Sequence, residues 1–377
     1  MKEIRLHGEK IIYGKGSLKC LSAIGQKRAF VITSGSSMFK NGTISDIEKY
    51  LKEAGASYTI FSGVQKNPDT NVVMEILEKM DEFKPDTVIA VGGGSPIDAA
   101  KVASLFYEFK EINFDNVFSI SLPEKREKVK IIAVPSTSGT GSEVTKAAVI
   151  TFKDRNIKVG IKTAAFIPDI AILDPDITMS MPKNIAAETG MDAMTHLIES
   201  YINKNIDYYT ECISEGAIIN LLNALPSSCL YCDKESRDRV HVYQSIAGSV
   251  LANVGLGMSH GISHAFGGRY DLGHGLLNGI CLPYVLLWNK KDPEVKGRLD
   301  KLSRLAGEDI ISAIINLKHR IGIPKGFFEI LDEETFKKDF PLLIENSLKG
   351  STQVNPIKIS KEDMELILTS IYYGKEF

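Results

Sequence analysis

The run Thr87-Val88-Ile89-Ala90-Val91 passes without a break into Gly92-Gly93-Gly94-Ser95-Pro96-Ile97-Asp98, and the reading of this junction decides the fold. A short β-branched run that stops at glycine reads as a buried strand. The residues beyond the glycines read as a helix, with Ser95 as its N-cap, Pro96 at the first helical position and Asp98 at the third. Three consecutive glycines are more than capping requires. They let the backbone turn tightly and approach a ligand with no Cβ in the way. The unpaired N–H groups of a helix N-terminus then suit an anion such as a pyrophosphate. The stretch is neither G-x-G-x-x-G nor G-x-x-x-x-G-K-[ST], so the usual nucleotide motifs do not decide the matter.

The same alternation extends on both sides. Residues 29–33 (AFVIT) read as a strand running into a Gly/Ser loop, and 44–54 as an amphipathic helix with Ile44, Ile47 and Leu51 on one stripe. Residues 57–61 (SYTIF) are the next strand, 71–83 the next helix, and 131–134 (IIAV) a further strand. That last strand enters Pro135-Ser136-Thr137-Ser138-Gly139-Thr140-Gly141-Ser142-Glu143, a loop rich in hydroxyls and glycine that can wrap a ribose or phosphate. Strands alternating with helices imply parallel pairing in an open α/β sheet. Two donor loops at successive strand ends fit a dinucleotide at the carboxyl edge of that sheet. After Pro182 the texture changes to long helical patterns at 185–203, 209–225 and 237–254. The reading is therefore an α/β dinucleotide-binding domain over 1–181 and an all-helical, metal-binding domain over 182–377.

Composition narrows the function. The 377 residues are 44% hydrophobic and 24% charged, with a formal net charge of −2, the balance of a soluble globular protein. No basic field is available to attract nucleic acid or an anionic membrane, so neither is expected as a partner. The opening MKEIRLHGEKIIYGKG holds no apolar stretch of signal-peptide length, and no apolar run is long enough to span a bilayer. The five cysteines, at 20, 212, 229, 232 and 281, have no regular spacing, which suggests reduced thiols and a cytoplasmic location. Cys229 and Cys232 form one CxxC, but a zinc ribbon needs a second pair.

Four of the seven histidines, at 196, 260, 264 and 274, fall in one stretch of the helical domain. Asp192 and His196 are four residues apart in a helix pattern, so both side chains leave the same face. His260 and His264 repeat that spacing, and His274 comes next in a glycine-flanked segment. One carboxylate oxygen with three imidazoles suits Fe²⁺, Zn²⁺ or another borderline divalent cation. Any one of these residues alone reads as a surface pair or a hydrogen-bonded core histidine; the joint pattern carries the inference. Spacing leaves open whether His260 or His264 turns toward the carboxylate.

GGGSPIDAAK at 92–101, PSTSGTGSEVT at 135–145, GMDAMTHLIESY at 190–201, HGISHAFGGRYDLGHG at 260–275 and NPIKISKEDMELIL at 355–368 together resemble the iron-containing, or group III, alcohol dehydrogenases. The resemblance covers nearly the whole chain. It implies the dehydroquinate synthase-like fold of that family, with an active site in the cleft between two domains, and a dimer or higher homo-oligomer. It also implies that Asp192, His196, His260 and His274 hold the metal, with His264 near the nicotinamide and helping proton transfer. Cofactor contacts are expected at Ser34, Gly35, Ser36, Asn67, Gly92, Gly93, Gly94, Ser95, Asp98, Ser136, Thr137, Thr140 and Lys158. Members that prefer NAD place an Asp at the end of the first strand, where it repels a 2′-phosphate. The matching residue here is Ser34, so NADP(H) is favoured over NAD(H).

The function implied is hydride transfer between NAD(P) and a small primary alcohol, diol or aldehyde. One rival is a glycerol-dehydrogenase-like polyol oxidoreductase of the same superfamily. Dehydroquinate synthase chemistry would need Lys and Arg clustered beside the metal, and residues 185–275 show no such cluster next to the histidines. A nucleotide-sensing protein that had lost the chemistry is the reading outside enzymology, and the intact four-ligand set stands against it.

Overall fold

The structure is a computed structural model describing residues 3–153 and 157–376, and the chain divides into two units, Met1–Met181 and Pro182–Phe377. The first unit holds eight strands among its described residues: β1 (Lys10–Tyr13), β2 (Arg28–Ser34), β3 (Ser57–Val64), β4 (Thr87–Gly92), β5 (Lys130–Pro135), β6 (Ala147–Phe152), β7 (Ile157–Lys162) and β8 (Ile170–Leu173). Six of them form a parallel sheet in the order β1-β8-β5-β4-β2-β3, while β6 and β7 pair antiparallel as a separate hairpin.

The central strands are apolar through their middles because both faces of the sheet are covered. Alternate residues serve two different cores. Phe30, Ile32, Val88, Ala90 and Ala133 pack on one side with α3 (Thr70–Phe83) and α4 (Gly94–Glu108). Ala29, Val31, Ile89, Val91, Ile132 and Val134 pack on the other, against Ile44, Ile47 and Leu51 of α2 (Thr43–Glu53), which comes after the short α1 (Ser37–Lys40). Each of those three α2 side chains contributes about 1.5–3 kcal/mol by its burial. From β2 the chain goes to β3 on one side and returns to β4 on the other. The strand order therefore reverses between β2 and β4, and in open α/β sheets ligands bind at the carboxyl ends on either side of such a reversal.

The sequence reading does not anticipate β1, β8 or the hairpin. The two strands are only four residues long, too short for periodicity to register. The last short helix of this unit is α5 (Pro175–Thr178).

The second unit is helical throughout its described residues: α6 (Lys183–Ile202), α7 (Tyr208–Tyr231), α8 (Lys234–Val254), α9 (Met258–Tyr270), α10 (His274–Asn289), α11 (Pro293–Ala306), α12 (Ile310–Arg320), α13 (Glu333–Ser347) and α14 (Lys361–Tyr373). Helix α6 is buried on all sides from Gly190 onward, and encloses polar residues, Asp192, His196 and Glu199, along with its apolar ones. Helix α7 runs through Pro226 to Tyr231, beyond the expected end at 225. Its C-terminus absorbs the CxxC: Cys229 is buried in the last turn, and Cys232 is a left-handed C-cap. No helix among the described residues is long and apolar enough to cross a membrane.

Candidate metal centre and cofactor loops

In the first unit, the loops after β2, β4 and β5 stand side by side. Gly92 and Pro135 are cross-strand partners, and the Ser136 N–H donates to the Gly92 carbonyl at 2.8 Å. A Cβ on Gly92 would lie 3.5 Å from Ser34 Oγ and 2.6 Å from the Pro96 ring, at a φ of +142° that L side chains rarely adopt. A Cβ on Gly93 would meet the Thr137 hydroxyl at 3.4 Å, and one on Gly94 would meet Thr140 at 3.1 Å. Glycine is thus what lets the triple-glycine loop sit against Ser34 on one side and the hydroxyl loop on the other. Gly35 and Ser36 are exposed beside Ser34.

One detail of the sequence reading needs correction. Helix α4 begins at Gly94 with Gly93 as its N-cap, so Ser95 is not the cap and lies inside the first turn. Asp98 is engaged within the unit. Its carboxylate accepts from the Ser142 hydroxyl and from the Val149 N–H, tying α4 to the hydroxyl loop and β6. An anionic group committed in this way would also oppose a phosphate. Lys101 completes the strut: fully buried, its ammonium donates to the Thr145 and Ala147 carbonyls at 3.0 and 2.8 Å. Asn67 and Lys158, far apart in sequence, are joined by a Lys158 Nζ bond to Asn67 Oδ1 at 2.8 Å, with Asn67 in the left-handed region at φ 58°.

In the second unit, three helices deliver the histidines. Asp192 and His196 lie one turn apart on α6, His260 and His264 one turn apart on α9, and His274 is the first residue of α10. Glycines set the spacing between α6 and α10. A Cβ on Gly275 would stand 2.2 Å from the Glu188 carbonyl oxygen, and one on Gly279 would stand 3.0 Å from the Met191 Cβ. That close approach brings Asp192 Oδ1 to 3.8 Å from His196 Nε2, 3.9 Å from His260 Nε2 and 3.8 Å from His274 Nε2. Ligand atoms of Asp192, His260 and His274 all lie within 4.8 Å of one another. The His196 and His260 rings are stacked, with centroids 4.8 Å apart. His264 is exposed; its ring stacks on His274 at 5.0 Å and lies 6.2 Å from His260.

The electrostatics follow from burial. Desolvation acts to raise the Asp192 carboxyl, but His196, His274 and His260 outweigh it and hold the group below its ordinary value. Burial, with help from His196, pushes His260 well below the usual imidazole range, leaving a neutral ring with a lone pair to give. The donor set fits a divalent cation. One buried carboxylate faces three imidazoles, and His196 Nδ1 is buried without a hydrogen-bond partner.

Two residues absent from the sequence reading complete the cluster. Asn278, fully buried on α10, directs its amide nitrogen at Asp192 Oδ1 (2.7 Å), His260 Nε2 (3.1 Å) and His274 Nε2 (3.2 Å). An amide has two hydrogens for those three acceptors, so lone pairs outnumber donors at one point. Its own oxygen accepts from the Ser263 hydroxyl at 2.6 Å. Glu199, also buried, lies 2.7 Å from His260 Nδ1, and burial pushes its carboxyl up to about 7. Both residues carried a signal. Glu199 is seven residues after Asp192 on the same helical stripe, and Asn278 is four after His274, the spacing already used for the other pairs.

Comparison with known proteins shows the family of the chain. Residues 8–175 match the family model for iron-containing alcohol dehydrogenase, and 186–372 match the C-terminal model of the Fe-containing alcohol dehydrogenase family. The NADPH-dependent butanol dehydrogenase of Clostridium saccharobutylicum is 37% identical over 377 residues, covering 97% of both chains. The iron-containing alcohol dehydrogenase structure from Thermococcus thioreducens superposes with a TM-score of 0.92 at 35% identity over 100% of both chains. A 1,3-propanediol oxidoreductase structure does so at 0.91 and 29% identity, covering 99% of this chain and 100% of that one.

Proposed function

The chain belongs to the iron-containing alcohol dehydrogenase family and is an alcohol dehydrogenase, and from that premise we propose that it interconverts short primary alcohols or diols and their aldehydes with NADP(H), using a cation held by Asp192, His196, His260 and His274. The observation that carries the reading is the convergence of one buried carboxylate and three imidazoles on one point of the helical unit. A bound divalent cation supplies Lewis acidity there, acidifying an alcohol and polarising a carbonyl. Asp192 provides the negative charge that offsets the cation, and neutral His260 provides a lone pair at no cost of deprotonation. His264, exposed and stacked on His274, is suited to pass the alcohol proton to solvent.

In the α/β unit the Gly92–Gly94 backbone and the Ser136, Thr137 and Thr140 hydroxyls supply neutral donors for the cofactor phosphates. Ser34 at the end of β2 sets no carboxylate of its own against a 2′-phosphate, and the NADPH dependence of the Clostridium relative supports the same preference. The short-alcohol assignment draws on the butanol and propanediol relatives. None of the five cysteines is in a disulfide, which supports a reducing, cytoplasmic setting. A homodimer is the assembly we assign by resemblance, testable by light scattering.

Elemental analysis of anaerobically purified protein, paired with a panel of alcohols and aldehydes and both cofactors, tests the whole reading. We expect about one equivalent of iron or zinc per chain, activity lost on chelation, and higher kcat/KM with NADPH. Activity that survives complete chelation would overturn the metal centre. Preference for NADH would overturn the role given to Ser34. His264→Ala should lower kcat by about 10²-fold or more and leave cation content unchanged.

A further inference from the structure

Glu199 makes more of its carboxylate than helix capping needs. The residue sits on α6, three positions after His196, with a side chain only 1% exposed. One oxygen accepts from the Ser259 N–H at 2.5 Å, and the other accepts from the Gly257 N–H at 3.0 Å and faces His260 Nδ1 at 2.7 Å. Gly257 leaves the room for this, since a Cβ there would lie 2.9 Å from Glu199 Oε1. Both oxygens accept backbone N–H bonds, which favour the ionised form, and in that form Glu199 can only accept from Nδ1. The ring proton then sits on Nδ1, and Nε2 turns its lone pair toward Asp192 Oδ1, 3.9 Å away.

We propose that Glu199 is a positioning residue of the metal centre, fixing the ring orientation and the protonated nitrogen of His260 and so setting how tightly the cluster holds its cation. The inference rests on the metal-centre reading above. It has a structural economy: α6 carries two of the ligands and also the group that orients a third, which comes from α9. A carboxylate hydrogen-bonded to the far nitrogen of a ligating imidazole fixes the tautomer and raises the ring's basicity, and its loss costs about 10–100-fold in metal affinity.

Glu199→Gln is the sharpest variant, being isosteric but offering one acceptor oxygen to three donors. If its amide nitrogen turns to His260, Nδ1 must accept and the proton moves to Nε2, where it blocks the lone pair. We expect Co²⁺ affinity, measured by chelator competition, to fall about 10–100-fold, with a shifted visible Co²⁺ spectrum and unchanged NADPH affinity. In the wild type, the long-range ¹H–¹⁵N spectrum of His260 should place the proton on Nδ1. A residue serving only to cap α9 would lower the unfolding midpoint of the metal-free protein and move neither spectrum. Co²⁺ binding by Glu199→Gln equal to that of the wild type, or a wild-type proton on Nε2, would overturn the proposal. Should Glu199→Gln fail to fold, the wild-type ring spectrum still decides. Asp192→Ala separates the two levels: if it loses Co²⁺ while Glu199→Gln keeps it, only the role of Glu199 fails. If wild type and Asp192→Ala take up Co²⁺ equally, the metal centre fails and the proposal with it.

Discussion

The two candidate sites meet charge with different materials. At the sheet edge the donors are backbone N–H groups and hydroxyls, and the ionic side chains Asp98 and Lys101 are spent on holding the loops in place. In the helical unit the donors are all side chains, one carboxylate and three imidazoles on α6, α9 and α10, buried except for the half-buried His274. A site made of backbone depends on what is missing from its side chains, so its tolerance is steric. A site made of side chains depends on lone pairs held near 3.8 Å from a common oxygen, so its tolerance is chemical and positional at once.

The largest effect expected of this contrast is at the ligands. Asp192→Ala or His260→Ala should lower kcat/KM by several kcal/mol of barrier, on the order of 10³-fold, while the KM for cofactor holds. Steady-state kinetics with separate cofactor titrations would show it, and a variant keeping a tenth of the activity would break the comparison. Next is Gly275→Ala. Its Cβ would fall on the Glu188 carbonyl, forcing α10 away from α6 at about 1–3 kcal/mol. Urea unfolding should report the loss, and cation content should drop with it although no ligand has been touched.

A smaller change is expected at the sheet edge. Ser34→Asp places a carboxylate at the β2–β4 reversal and should cut kcat/KM for NADPH about tenfold or more, a Coulombic cost of a few kcal/mol at partly exposed range. The value for NADH should hold or rise, and cation content should not move. The smallest effect concerns Lys101. Burial depresses its ammonium from 10.5 to about 8. Between those two values the unfolded chain binds the extra proton, so this group makes stability rise with pH across that window. The stability difference between wild type and Lys101→Met, tracked by urea midpoints, should therefore shift in favour of the wild type from pH 8 to pH 10. A flat difference would mean that the buried strut does not titrate there.

Much of this was open to a reader of the sequence, because its signals are local. The strand-to-glycine junction at Val91 and the strand-to-loop junction at Val134 mark the ends of parallel strands, and the pairs Asp192–His196 and His260–His264 declare a shared helix face through the 3.6-residue period alone. Resemblance across the motifs supplied the family and the choice of His260. The reading failed where partners come from other elements. It took Ser95 for the cap and did not foresee the bonds that Asp98 makes, since nothing near Asp98 in sequence announces Ser142 or Val149.

The amino-acid order by itself marked the change of texture after Pro182, the glycine loops and the residue types of the candidate cluster. Tertiary structure alone decided that Gly275 and Gly279 press α10 onto α6, that Asn278 and Glu199 belong to the cluster, and that His264 lies at its exposed rim. The physical reason is one of range. Helical period and strand alternation act over a few residues, whereas a distance of 3.8 or 2.7 Å between side chains on different helices is set by how closely those helices pack, and that depends on which side chains lie between them.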